Sequence, residues 1–213
     1  MIICKINNRI MVKGKKELIP LSELKKPREN DTLEDIVKDY CSRPLICYGD
    51  LEKFVEIVDC ICGKIGNPFE ENGRIFYRRC RHQAHMNDIA IEEATKELKK
   101  IEGELKEIKD FEKLHERVNK VNIKGFGPLA KYDFCVRFGY KYGVKPEKFV
   151  YLHAGTKEGA KSLKRLIPEL NPREYEEKMP IELLPKVLKE LGSIDIENLL
   201  CIFKERLSTL KKI

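Results

Sequence analysis

A chain of 213 residues can bury one ample hydrophobic core, or two small lobes sharing a cleft, without disulfides or metals as staples. Its 42% apolar and 36% charged residues exclude wholesale disorder, and no stretch approaches the roughly 18 consecutive apolar residues of a membrane span. With no apolar leader segment at the amino terminus, the eight cysteines read as reduced, mostly buried thiols of a cytoplasmic protein with no membrane partner.

The formal charge of +7 is unevenly distributed. From Lys120 to Arg165 eleven Lys or Arg face three acids (Asp133, Glu147 and Glu158), a net of +8, whereas the other residues carry 31 bases and 32 acids. A positive field so concentrated attracts polyanions and supplies sequence-independent affinity through counterion release. The competing reading is a solvated lysine-rich face with no ligand.

In chain order, the apolar runs Ile2 to Ile6 and Ile10 to Val12 flank Asn7-Asn8, a pair that tolerates the positive φ of a tight turn, so a small N-terminal β-hairpin is expected. Asp31 or Thr32 can cap a helix reaching about Cys41. Asp50 can cap another, with Leu51, Phe54, Val55, Val58 and Cys62 on one face and Gly63 and Gly66 ending it. Asn67-Pro68 through Asn72-Gly73 reads as a loop. A helical stretch with breaks is then expected from about Ile75 to Ile108, because Ala94, Leu98, Ile101, Leu105 and Ile108 alternate spacings of four and three. Beyond the basic stretch, Asn171-Pro172 and Met179-Pro180 look like helix entries, with Gly192 ending the second. Asp195 then caps a last amphipathic helix carrying Leu199, Leu200, Phe203, Leu207 and Leu210.

The most specific local feature is Val121-Asn122-Ile123-Lys124-Gly125-Phe126-Gly127-Pro128-Leu129-Ala130, set between a helix carrying Phe111, Leu114 and Val118 and a second helix running to about Tyr142. Two glycines around one apolar residue let the chain reverse sharply while Phe126 plugs the space between the helices, and Pro128 suits the first position of the next helix. The amides at such a helix start can accept a phosphate. Ile123, Gly125, Phe126, Gly127 and Ala130 resemble the helix-hairpin-helix DNA-binding motif, a likeness covering residues 111–143. It implies nucleic-acid binding, to duplex or structured DNA first with RNA an open alternative, through Lys124, Gly125, Phe126, Gly127 and Lys131. On the second helix Asp133, Arg137 and Lys141 recur every fourth residue, so a phosphate-facing role for Arg137 and Lys141 competes with a solvated stripe.

The remote likeness to helix-hairpin-helix DNA glycosylases implies a second reading, base excision. Where the bifunctional members of that superfamily carry a lysine, two residues after the second hairpin glycine, this chain has Leu129. Where they carry a catalytic aspartate, Val150 to Ala154 holds no carboxylate. Lys131 and Glu147 therefore stand only as candidate catalytic groups, with His153 as a third. His153 lies in Val150-Tyr151-Leu152-His153-Ala154-Gly155-Thr156, beside a glycine and a possible helix cap at Thr156 for a helix from Lys157 to Leu166. That run, with Gly-x-Gly-Pro-Leu and Tyr-Asp, resembles an uncharacterised prokaryotic family, which implies a coherent unit without naming an activity.

Arg78, Arg79 and Arg81, with Arg74, interleave with Phe76, Tyr77 and His82, a mixture that suits a nucleic-acid strand as well as structural ion pairs. Cys60, Cys62, Cys80, His82 and His85 are spaced more tightly than structural zinc ligands, so no metal and no cofactor is expected. The expected architecture is mainly α, a helical bundle or two helical lobes (1–108 and 109–213) in a single domain of 1–213. Its expected function is sequence-independent DNA binding; a non-nucleic-acid interaction or toxin-like module is the remaining alternative.

Overall fold

Helix-period and strand-period patterns in the sequence resolve into a mainly helical chain. The structure, a computed structural model, describes residues 21–42, 65–71, 74–78, 88–167, 170 and 175–211. In chain order the described elements are α1 (Leu21–Leu24), α2 (Leu33–Cys41), β1 (Ile65–Glu71), β2 (Arg74–Arg78), α3 (Asp88–Lys100), α4 (Glu102–Glu107), α5 (Phe111–Asn119) and α6 (Pro128–Tyr142). There follow β3 (Phe149–Tyr151), α7 (Ala154–Leu163), β4 (Lys178–Pro180), a 3-10 turn (Ile181–Leu183), α8 (Lys186–Lys189), α9 (Ser193–Ile202) and α10 (Lys204–Thr209). The expected N-terminal hairpin, the helix after Asp50 and the entry at Asn171-Pro172 lie outside the described residues.

Contacts divide the chain into two units, Met1–Leu45 with Glu147–Ile213, and Ile46–Pro146. The first unit is discontinuous, with α2 packing against the C-terminal helices α8 and α10.

In the first unit Leu33, Ile36 and Tyr40 line one face of α2 and are buried in a core that includes Val150, Leu163, Leu199 and Leu207. Thr32 starts α2 through a capping box, its hydroxyl accepting from the Asp35 amide while the Asp35 carboxylate accepts from the Thr32 amide. The Thr32 hydroxyl also donates to Asp35 Oδ2 at 2.7 Å, and this bond, with the one from the Thr32 amide, holds the Asp35 carboxyl below its usual range. The Tyr40 hydroxyl donates to Asp195 Oδ1 of α9 at 2.8 Å.

Arg206 of α10 locks the segment before α2 in place. Its guanidinium is fully buried and donates through Nε and Nη2 to both oxygens of Asp31, at 2.6 Å each, and through Nη1 to Asp39 Oδ2 at 2.7 Å and the Leu24 carbonyl at 2.8 Å. Two carboxylates and one carbonyl thus compensate the desolvation of one cation.

The antiparallel pair β3–β4, in register Val150 with Met179, leads the chain into α7. Helix α7 begins at Ala154, with His153 as its N-cap, and not at Lys157 as expected; Thr156 is a buried residue of its first turn. Pro180 ends β4 and is also the N-cap of the 3-10 turn Ile181–Leu183, so the entry expected at Met179-Pro180 leads into a short 3-10 turn followed by α8. Gly192, expected to end a helix, is the N-cap of α9, which places Asp195 inside the first turn rather than at the cap. The final amphipathic stretch breaks at Phe203 into α9 and α10.

In the second unit β1 and β2 pair antiparallel, with Glu71 opposite Arg74 and Phe69 opposite Phe76 and an irregularity between Ile65 and Phe69. Residues 67–71 are therefore strand rather than loop, and 74–78 strand rather than the start of a helix. The physical reason is in the sequence: Ile75-Phe76-Tyr77 is β-branched and aromatic, and the Asn-Gly directly before it is a strong hairpin-turn signal. Among the described residues the helical seam runs from α3, where Ala94 and Leu98 are buried, to Leu105 of α4.

Removing the buried cation tests the lock on the first unit. Arg206→Ala strands the buried Asp31 carboxylate, while Asp39 keeps Arg28 as a partner, and should cost about 3–5 kcal/mol of stability, read as a fall in the denaturant midpoint. A loss below about 1 kcal/mol would show that the lock is dispensable.

Candidate nucleic-acid interface

Asp110 caps α5, its Oδ1 accepting from the Lys113 amide at 3.0 Å, and Phe111, Leu114 and Val118 bury one face of that helix against α6. Arg117 of α5 pairs through Nε with Glu104 Oε1 of α4 at 2.6 Å, which holds the Glu104 carboxyl below its usual range. Helix α6 has Gly127 as N-cap and Pro128 at its first position, where the missing N–H costs nothing. It ends at Gly143 in the left-handed region, φ +74°.

Between the helices the chain reverses in a turn closed by the Phe126 amide donating to the Ile123 carbonyl at 3.0 Å. Gly125 takes φ +92°, which a side chain would oppose. Phe126 is buried and so is Val121, while Lys124, Gly125, Gly127 and Pro128 are exposed. The apolar plug faces inward, leaving the polar backbone of the turn outside. Gly127 is different in kind: its φ of −79° and ψ of 179° suit any residue, and a Cβ there would meet nothing within 4 Å. No side chain caps this end of α6, so the amides of Leu129 and Ala130 lack helical acceptors behind the exposed Gly127-Pro128 corner.

Lysines surround the corner unequally. Lys124 stands exposed on the turn, and Lys120, also exposed, is the C-cap of α5. Lys131 is half-buried, and its ammonium donates to the Asn119 carbonyl at 2.9 Å, clipping the end of α5 to the first turn of α6. Burial pulls its pKa below that of an ordinary lysine. Lys131 thus fixes the hairpin, whereas Lys120 and Lys124 face solvent. Lys120 belongs to the basic stretch but was not singled out by the sequence; its position directly after an amphipathic helix was the available signal.

The other expected contacts are placed differently. Arg137 and Asp133 are 4% and 3% exposed, because α6 is buried on every face from Tyr132 to Phe138. The expected outward stripe is therefore corrected: a four-residue period marks one helix face but does not say that the face is wet. Lys141 lies in the last turn of α6, and its side chain is outside the description. Arg78 ends β2, paired in register with Ile65, while Arg79 and Arg81 lie outside the described residues.

Of the candidate catalytic groups, Lys131 belongs to the second unit and Glu147 and His153 to the first. Glu147 is exposed. His153 is part-buried, with Nε2 3.9 Å from Glu197 Oε1 of α9. Among the described residues no group of three or more His, Cys, Asp or Glu is arranged to hold a metal. Cys60, Cys62, Cys80, His82 and His85 lie outside those residues. No described helix is long and apolar enough to cross a membrane.

No protein-family model, curated protein or solved structure matches the chain, so the meaning of the corner rests on its own residues.

The two glycines should respond oppositely. Gly125→Ala places a Cβ at positive φ and should cost about 1–3 kcal/mol, while Gly127→Ala should be within about 0.5 kcal/mol of the parent. Equal losses in chemical denaturation would contradict the turn geometry.

Proposed function

We propose that this protein binds nucleic acid, duplex DNA foremost, by taking backbone phosphates at the α5–α6 corner, as a helix-hairpin-helix does. The observation that carries the reading is the uncapped, exposed start of α6 at Gly127-Pro128, between exposed Lys120 and Lys124. A helix start of this kind offers free amides and the positive end of the dipole to an anion, and flanking lysines add charge without selecting bases. The charge balance supports it: from Lys120 to Pro146 there are six Lys or Arg and a single acid, Asp133, which is buried. Gly127 leaves room for a close approach, since nothing stands where its side chain would be.

In this reading phosphate contacts come from Lys120, Lys124 and the amides behind Gly127. Phe126 and Lys131 act through the backbone they hold. The ammonium of Lys131 is committed to the Asn119 carbonyl, which favours a structural role for it over attack on a sugar.

Affinity for duplex DNA should fall steeply between low and moderate salt and vary little with sequence, as fluorescence anisotropy can read. Because position 127 accepts a side chain in the folded chain, Gly127→Val should keep the parent's thermal midpoint while weakening binding about tenfold, the scale of a lost charge-assisted hydrogen bond. Equal binding by a folded Gly127→Val protein, or no binding of any nucleic acid at low salt by the parent, would end the proposal.

A further inference from the structure

The remaining basic excess lies in the other unit: from Glu147 to Arg165 there are five Lys or Arg and two acids. Helix α7 organises it. Thr156, Gly159, Ala160, Ser162 and Leu163 are buried on one side, and α7 lies unusually close to α9. A Cβ on Gly159 would stand 2.3 Å from the Leu200 carbonyl oxygen, and one on Gly155 would stand 2.6 Å from Cys201 Sγ. At Gly159 only glycine allows the two backbones to approach so closely, and Gly155 makes room for the Cys201 side chain, so α7 is pinned with its opposite face fixed outward.

That outward face carries Lys157, Lys161 and Lys164, all exposed. The first two are one helical turn apart, about 6 Å along the axis. The one acid beside them within α7, Glu158, is taken by Lys204 of α10 in a close ion pair, which holds the Glu158 carboxyl below its usual range. Lys161 also acts electrostatically on the Glu158 carboxyl, but among the described residues no ion pair ties Lys157 or Lys161 to a carboxylate. The face also lacks an apolar centre: among the described residues the only large hydrophobic that is exposed is Ile89, in the other unit. A large protein interface usually has a buried apolar core, whereas a row of phosphates needs only spaced cations.

We infer that the Lys157–Lys161–Lys164 face of α7 is a second phosphate-contacting surface for nucleic acid, carried by the unit that lacks the α5–α6 corner. The inference rests on the nucleic-acid reading above and extends it: each unit contributes its own electrostatic contacts. The flat lysine row adds salt-dependent affinity with no preference among sequences.

The full-length chain is titrated with a labelled duplex of arbitrary sequence at several salt concentrations. Three variants are compared with the parent: Lys157→Gln/Lys161→Gln, Lys120→Gln/Lys124→Gln, and all four changes together. Each lysine lost from a phosphate should lower the slope of log affinity against log salt by about 0.9, so each pair should lower it by about 1.8 and the four together by their sum. Lys157→Arg/Lys161→Arg should keep the parent slope, and all variants should keep its thermal midpoint, since the four lysines are exposed. If the α7 pair leaves slope and affinity unchanged while the corner pair weakens binding, this inference is overturned and the corner reading survives. The reverse pattern removes the corner reading and keeps α7. Loss of polyglutamate binding without loss of duplex binding would make the α7 partner an acidic polypeptide and overturn the assignment, and a parent that binds no duplex overturns both.

Discussion

Burial of α6 is the constraint on which the proposed site depends. From Tyr132 to Phe138 every residue of this helix is buried, including Asp133 and Arg137, so its flank has little to offer a large ligand. Its amino-terminal end can reach solvent, and there the chain places two exposed glycines and a proline instead of bulky side chains. The reversal that delivers this end needs Gly125 at positive φ and Phe126 turned inward, and Lys131 holds it by bonding the last turn of α5. Hydrophobic burial thus decides which backbone groups remain available, and electrostatics acts on what is left.

A different economy governs the first unit. Its two segments, distant in sequence, are joined by Arg206, whose four hydrogen bonds to Asp31, Asp39 and Leu24 satisfy a charge that burial alone would penalise. The close α7–α9 packing through Gly155 and Gly159 then leaves lysines on the outer side of α7. In both units, small residues set backbone approach and lysines remain at the edge of the packing they permit.

Much of the fold was legible in the sequence where period and cap agree. Asp31 or Thr32 as a cap, the apolar face of Phe111, Leu114 and Val118, and Gly127-Pro128 each signal a helix by local chemistry, and α2, α5 and α6 lie where those signals put them. The hairpin β1–β2 was misread because the helical seam of residues 94–108 was extended backward over Ile75-Phe76-Tyr77, whose β-branched and aromatic character favours a strand. Asp195 is as good a cap by composition as Gly192, and only the tertiary path of the chain selects Gly192. The site was half legible. Lys124 and the two glycines follow from turn chemistry, whereas the burial of Arg137 and the clip made by Lys131 depend on what surrounds α6, which no local pattern encodes. The discontinuous first unit is likewise invisible locally, since the partners of Arg206 lie 167 and 175 residues away.

The central claim is that phosphate meets the backbone at the start of α6. Amide chemical shifts of the isotope-labelled full chain, followed by NMR as a short duplex is added, test this directly. The account predicts saturable shifts at Gly125, Gly127, Leu129 and Ala130, reproduced in direction by inorganic phosphate at higher concentration and suppressed by salt. Duplex binding that leaves those four amides unmoved would contradict it.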